Sequence, residues 1–200
     1  MPRILTPAQI ERNKANLRDL TKRSRIAVFN HYGDKCVHCG ESIREFLTID
    51  HIIPAHADEK RVGLARRIVK AGFPEGFQIL CWNCNFKKSL VDRQIILQAN
   101  KEAVRFRVKR NEVRLKVIAG YGGKCACCAI DDIKILTLDH TICNGNVERR
   151  MFSMNAIYRR VLRDGFPQDY EILCLNCNCG RAISKDKVCP HKHKISSEGY

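Results

Sequence analysis

The chain has 200 residues, with 36 Lys or Arg against 21 Asp or Glu, a formal net charge of +15 and a pI near 9.5. That excess points to a polyanionic partner, nucleic acid first. No apolar run approaches the ~20 residues needed to cross a bilayer, and Met1 to Arg25 lacks the apolar core of a signal peptide. The expectation is a cytoplasmic protein with no membrane partner, whose twelve cysteines serve as metal thiolates rather than disulfides.

Thr6 and Pro7 read as the N-cap and first position of a helix over residues 8 to 29. Its apolar stripe is Ile10, Leu17 and Leu20, and its basic residues are Arg12, Lys14, Arg18, Lys22, Arg23 and Arg25. A Tyr32-Gly-x-Lys-Cys turn leads into the CxxC knuckle of Cys36 and Cys39. A short strand over Phe46 to Ile49 then ends at Asp50-His51. A loop and a short helix follow, stopped by Gly72-Phe73-Pro74. The apolar run Phe77 to Leu80 delivers a second knuckle, Cys81 and Cys84, followed by Asn85.

The same order recurs. A second basic helix over 101 to 118 places Val104, Val108, Leu115 and Ile118 close to helical spacing, and Lys101 to Lys116 holds seven basic residues against two acidic ones. Then come Tyr121, the knuckle Cys125 and Cys128, Ile135 to Leu138 leading to Asp139-His140, Gly165-Phe166-Pro167, and the knuckle Cys174 and Cys177 with Asn178. Tyr32 to His51 matches Tyr121 to His140 at 9 of 20 positions, and Gly72 to Asn85 matches Gly165 to Asn178 at 9 of 14. Unrelated sequence would agree at about 6%, so the chain is a duplication with its boundary near residue 97, giving domains 1–97 and 98–200. From Asp-His to the second knuckle the repeats span 31 and 35 residues, which places a four-residue insertion in the second loop.

Two CxxC turns can surround one zinc ion tetrahedrally with sulfurs about 2.3 Å from the metal. This predicts two structural zinc sites, Cys36, Cys39, Cys81, Cys84 and Cys125, Cys128, Cys174, Cys177. Four thiolates leave no place for water, so these ions hold the fold and do not catalyse. Cys127 falls inside a knuckle, where register excludes it. Cys143, Cys179 and Cys189 stay unassigned; the tail with Cys189, His191 and His193 could bind metal together with Cys179, but a mobile basic terminus is the favoured reading.

The knuckles bring Asp50-His51 and Asn85 together, and Asp139-His140 and Asn178 likewise. A carboxylate and an amide oxygen suit a catalytic Mg²⁺ or Mn²⁺. The adjacent histidine titrates near neutral pH and can take a proton from an attacking water. The basic helices, through Arg105, Arg107, Lys109 and Arg110, together with Arg66, Arg67, Arg159 and Arg160, are the expected sequence-independent phosphate contacts.

The order CxxC, DH, CxxCN resembles the HNH (ββα-metal) endonuclease superfamily, in particular its phage recombination endonuclease VII-like branch, over residues 30 to 90 and 119 to 181. The resemblance implies an α+β fold of two small zinc-stapled ββα-metal (HNH/treble-clef-like) modules, each preceded by a basic helix. It implies Asp50, Asn85, Asp139 and Asn178 as ligands of the catalytic ion, and His51 and His140 as general bases. The expected function is a phage- or mobile-element-borne DNA endonuclease acting in the host cytoplasm on duplex or branched DNA, one chain serving as a pseudo-dimer. A non-catalytic zinc DNA-binding regulator is the rival reading, and an RNA partner is a third. The middle Asn of the family motif aligns with Gly76 and Asp169. Asn83 and Asn176 are its candidate replacements, and the second copy, where Asp169 can steady the loop, is the one expected to work if only one does. The loops also differ, Pro54-Ala55-His56 against Asn144-Gly145-Asn146.

Overall fold

The Thr6 hydroxyl accepts from the Gln9 backbone N–H and the Thr6 backbone N–H donates to Gln9 Oε1, a capping box that with Pro7 starts α1 (Pro7–Tyr32). The computed structural model describes residues 5–53, 62–97, 101–142 and 145–192, and of residues 91–97, 101–107 and Asn146 it describes the backbone alone. At about 1.5 Å per residue α1 is roughly 39 Å long, more than the small unit it packs against can cover. Only Ser24, Val28 and Phe29 near its end are buried. The expected apolar stripe is therefore not a core face: Ile10, Leu17 and Leu20 are 41–46% exposed.

A 3₁₀ turn (Arg44–Phe46) leads into β1 (Leu47–His51), then α2 (Leu64–Lys70), β2 (Phe77–Cys81) and α3 (Trp82–Leu97). The second half follows as α4 (Lys101–Gly120), β3 (Leu136–His140), α5 (Gly145–Met151), α6 (Met154–Arg163), β4 (Tyr170–Cys174) and α7 (Leu175–Ile183). The fold is mixed α+β, with β1 antiparallel to β2 and β3 antiparallel to β4 in two separate sheets. The registers agree residue for residue: Leu47 faces Cys81 and His51 faces Phe77, as Leu136 faces Cys174 and His140 faces Tyr170. α5 falls in the stretch that holds the insertion of the second repeat.

Local contacts repeat with the sequence. Arg25 donates to the Leu47 carbonyl at 2.5 Å and Arg114 to the Leu136 carbonyl at 2.6 Å. These two arginines of the basic helices thus brace strands, and burial lowers the pKa of both. Tyr32 and Tyr121 donate to the Pro74 and Pro167 carbonyls. Gly72-Phe73 and Gly165-Phe166 both take the left-handed conformation that ends a helix, with Phe73 N bonded to Ile68 O and Phe166 N to Val161 O.

One core gathers Val28, Phe29, Leu47, Ile68, Ile79 and Leu80. The other gathers Val117, Ile118, Ile135, Leu136, Ile157, Val161, Ile172 and Leu173, and it also takes in Ile43 and Phe46 from the first repeat. The repeats therefore do not bury their cores independently. They meet through a reciprocal pair of buried hydrogen bonds, Asn83 N to Asn176 Oδ1 and Asn176 N to Asn83 Oδ1, both 3.0 Å. Lys87 and Asp132 add an ion pair at 2.5 Å, and Gly180 lies so close to the Phe46 ring that a Cβ there would collide with it. Among the described residues no helix is long and apolar enough to cross a membrane.

Candidate metal centres and catalytic site

Each first knuckle is pinned to the strand that carries the second: Val37 N donates to Ile79 O at 3.0 Å, and Ala126 N to Ile172 O at 2.8 Å. Each second knuckle starts on a strand end and turns into a helix, with Cys84 N against Cys81 Sγ and Cys177 N against Cys174 Sγ. This geometry gathers Cys36, Cys39, Cys81 and Cys84 into one set and Cys125, Cys128, Cys174 and Cys177 into another, all donor atoms of a set within 4.8 Å of one another. Cys39 and Cys81 sulfurs are 3.7 Å apart, Cys128 and Cys174 3.8 Å, Cys128 and Cys177 3.7 Å. A tetrahedron with a zinc–sulfur distance of about 2.3 Å has an edge of about 3.8 Å, so both cages have the size of a zinc ion. The cysteines are free thiols.

Thiols crowded in this way cannot all ionise without a cation among them. Burial pushes Cys81 up to about 11 and raises Cys84 further. In the second set, hydrogen bonds from Cys128, Cys174 and Cys177 pull Cys125 down, while Cys125 and Cys128 drive Cys174 and Cys177 up. A divalent ion at the centre removes the conflict by binding every member as thiolate.

The tail differs from its expectation. Cys189 is buried, and His191 Nδ1 lies 3.3 Å from Cys177 Sγ and 3.8 Å from Cys189 Sγ. Cys127 stays outside the four-thiol set, as its register requires, but faces this tail: Cys127, Cys177, Cys189 and His191 bring their donor atoms within 4.8 Å of one another. Cys-Pro-His at 189–191 was the available signal, and only the return of the tail gives it meaning. Burial lifts the Cys179 thiol to about 11, and Cys179 joins no metal-sized cluster among the described residues. Cys143 and His193 lie outside the described residues.

In the first repeat Asp50, next to last in β1, faces Gln78, whose Nε2 donates to Asp50 Oδ2 at 2.8 Å. Asn85, on α3, sets its Nδ2 3.4 Å from Asp50 Oδ1. Lys88, one turn further along α3, places Nζ 2.6 Å from Asp50 Oδ2 and also donates to the His51 carbonyl. The His51 ring packs on Phe77 with centroids 4.7 Å apart. The fold thus brings Asp50 and Asn85 together, sets the His51 ring against Phe77, and adds Lys88, whose spacing of three from Asn85 puts both on one helix face.

The second repeat is wired differently. Asp139, buried, meets Arg181 from α7 at 2.5 Å, and the same guanidinium reaches Glu171 Oε1 at 2.5 Å and the His140 carbonyl at 2.7 Å. Burial opposes the Arg181 charge, but the bonds to Asp139 and Glu171 outweigh it and raise its pKa. His140 Nε2 lies 2.9 Å from Glu148 Oε2 on α5. Glu148 also accepts from the Tyr170 hydroxyl and pairs with Arg160. Burial lowers the His140 pKa. Asn178 is half-buried on α7, one turn before Arg181.

The loop after Asp-His is steadied by backbone in both copies. Ile52 N donates to Gly76 O at 2.8 Å, and Thr141 N to Asp169 O at 2.9 Å. The absence of a side chain at Gly76 therefore costs nothing here, and its φ of +97° is one that glycine adopts freely. Asn83 and Asn176, the candidate replacements, instead join the two repeats. Pro54, Ala55, His56 and Asn144 lie outside the described residues, as does the Asn146 side chain.

α1 packs on α2 and α4 on α6, which sets the basic helices beside Arg66 and Arg67, and beside Arg159 and Arg160. Arg67, Lys109, Arg110 and Arg159 are exposed, while Arg66 is half-buried. Arg160 is occupied by Glu148 and Tyr170 and lies over the Phe152 ring. Arg159, Arg160 and Arg163 line a cavity of about 440 Å³ with Phe152, Ser153, Asn155 and Ala156. The side chains of Arg105 and Arg107 lie outside the described set.

No protein-family model matches the chain, and comparison with curated proteins and with solved structures finds no match either.

Proposed function

We propose that the chain is a DNA endonuclease of the HNH (ββα-metal) type, with one phosphodiester-hydrolysing centre per repeat. The observation that carries this reading is the approach of the Asp50 carboxylate to the Asn85 amide at 3.4 Å, beside His51 in the chain, on a thiol-caged unit of a chain with net charge +15. Asp50 and Asn85 offer the hard oxygens that would hold Mg²⁺ or Mn²⁺. Such an ion supplies charge neutralisation at the scissile phosphate and the leaving 3′ oxygen. His51, held against Phe77, takes the proton of the attacking water. Lys88 balances Asp50 as a single ammonium on a flexible stem, so it can turn from the carboxylate to a phosphate oxygen.

In the second repeat Asp139, Asn178 and His140 have the same roles, but the Arg181 fork spans Asp139 and Glu171 and is harder to displace. The first centre is therefore the faster one, a reversal of the order suggested by Gly76 and Asp169 alone. Lys109, Arg110 and Arg159, with the arginine-lined cavity, offer contacts to DNA phosphates, and the two centres let one chain act as a pseudo-dimer. The test is nicking of supercoiled plasmid in Mg²⁺ or Mn²⁺, with EDTA and the paired Asp50→Ala, Asp139→Ala substitution as controls. Metal-dependent nicks lost in the double variant support the reading. DNA binding without cleavage, unchanged in the double variant, would favour a zinc-dependent DNA-binding regulator, and cleavage confined to an RNA added in parallel would reassign the substrate.

A further inference from the structure

Cys177 belongs to two donor sets at once. On one side its sulfur is 3.7 Å from Cys128 Sγ, within the four-thiol cage of the second repeat. On the other it is 3.3 Å from His191 Nδ1, within a set completed by Cys127 and Cys189. A tetrahedral zinc with sulfur at about 2.3 Å and imidazole nitrogen at about 2.0–2.1 Å has a nitrogen–sulfur edge of about 3.5 Å, which falls between the 3.3 and 3.8 Å that separate His191 from Cys177 and Cys189.

The local fold builds this second cage. After α7, Asp186 accepts from the Ser184 hydroxyl at 2.5 Å and from Val188 N at 3.0 Å, a turn that sends the chain back toward the knuckle. Pro190 packs beside Gly180 and the His191 ring stands edge-on to Phe46 at 4.7 Å, so the tail is wedged where the repeats meet. The first repeat offers no counterpart among its knuckles, since Cys127 aligns with the exposed His38.

We propose that the second repeat holds two zinc ions that share the Cys177 thiolate, one bound by Cys125, Cys128, Cys174 and Cys177 and the other by Cys127, Cys177, Cys189 and His191. Seven donors exceed what one four-coordinate ion can use, and a thiolate has lone pairs enough to bridge. Six thiolates against two divalent ions leave a net charge of −2 with neutral imidazole, which a chain of net charge +15 accommodates. The additional ion ties the tail to the knuckle and, through Phe46, to the first repeat.

This rests on zinc occupying the four-thiol cages, and the count of ions separates the two ideas. Native mass spectrometry of the full chain, loaded with zinc and freed of excess, should give three zinc ions. Cys127→Ser and His191→Ala should each lose one and keep two, while Cys179→Ser keeps three. A wild-type count of two overturns the additional site and leaves the knuckle cages standing, as does a count of three that His191→Ala fails to lower. One ion or none overturns both. After exchange to cadmium-113, two of three resonances should split each other through the shared sulfur. Three uncoupled singlets would overturn the bridge.

Discussion

Asp50 and Asp139 occupy the same strand register in the two repeats, yet Asp50 meets a lysine and a glutamine whereas Asp139 is clamped with Glu171 by one arginine. The histidines diverge with them, since Glu148 on α5 sits against His140. Ancestral symmetry survives in what holds the units together: knuckles, hairpin register, Arg25 and Arg114 on strand carbonyls. It is lost around the carboxylates, where the cation changes from the single ammonium of Lys88 to the planar fork of Arg181, which holds two carboxylates at once.

The largest effect that tests this comparison is metal removal. Chelation should unfold both repeats, because structural zinc contributes roughly 10–16 kcal/mol in small zinc modules. Cys174→Ser should depress the circular-dichroism melt more than Cys81→Ser, since the second core also holds Ile43 and Phe46. Equal melts would mean that the two cores are independent after all.

Next in size are the histidines. His51→Ala should slow the first nick in plasmid by about 10²- to 10⁴-fold, whereas His140→Ala should spare that nick and slow its conversion to linear DNA. Exchanging the cations sharpens the point: Arg181→Lys should speed the second cut and Lys88→Arg slow the first, each about tenfold, or about 1.4 kcal/mol. Insensitivity to both exchanges would remove Lys88 and Arg181 from the account.

Phe46→Ala should cost about 3–5 kcal/mol in urea unfolding. Because Phe46 belongs to the first repeat and is buried in the core of the second, hydrogen exchange should quicken in both, while Ile135→Ala should loosen only the second. The interface hydrogen bonds come next. Asn83→Ala or Asn176→Ala leaves a buried amide without its partner, at about 1–3 kcal/mol, and the double variant should cost less than the two together because the bonds are reciprocal. Strict additivity would show that each bond acts alone.

The smallest effect belongs to Lys87 and Asp132, half-exposed at 46% and 33%. Removing the pair should cost at most about 0.5 kcal/mol and less in high salt. The Lys87 hydrogen bond holds the Asp132 carboxyl below its ordinary 3.8. The contribution is therefore complete above that pH and fades as pH falls through the depressed value. Urea midpoints with and without Asp132→Asn should converge only in acid.

Much of this molecule could be read from residues close together in the chain. The capping box at Thr6, the left-handed Gly72-Phe73 stop and the pairing of each CxxC with its strand depend on hydrogen bonds spanning two to five residues or on a hairpin whose register the alternating apolar positions set. Duplication then pointed to the four-cysteine clusters and to the approach of Asn85 to Asp50, because the same residue types recur at matched spacings in two otherwise diverged copies. The tertiary structure decided the rest. That Ile10, Leu17 and Leu20 stay exposed follows from a helix longer than its partner surface. That Asn83 and Asn176 clasp the repeats, that Arg181 reaches Asp139, and that Cys189 and His191 return to Cys177 follow from chain reversals and a pseudo-symmetric docking that bring distant residues within hydrogen-bond or metal-ligand reach. Spacing alone carries no record of such contacts, since each depends on the direction in which a packed helix or turn leaves the core.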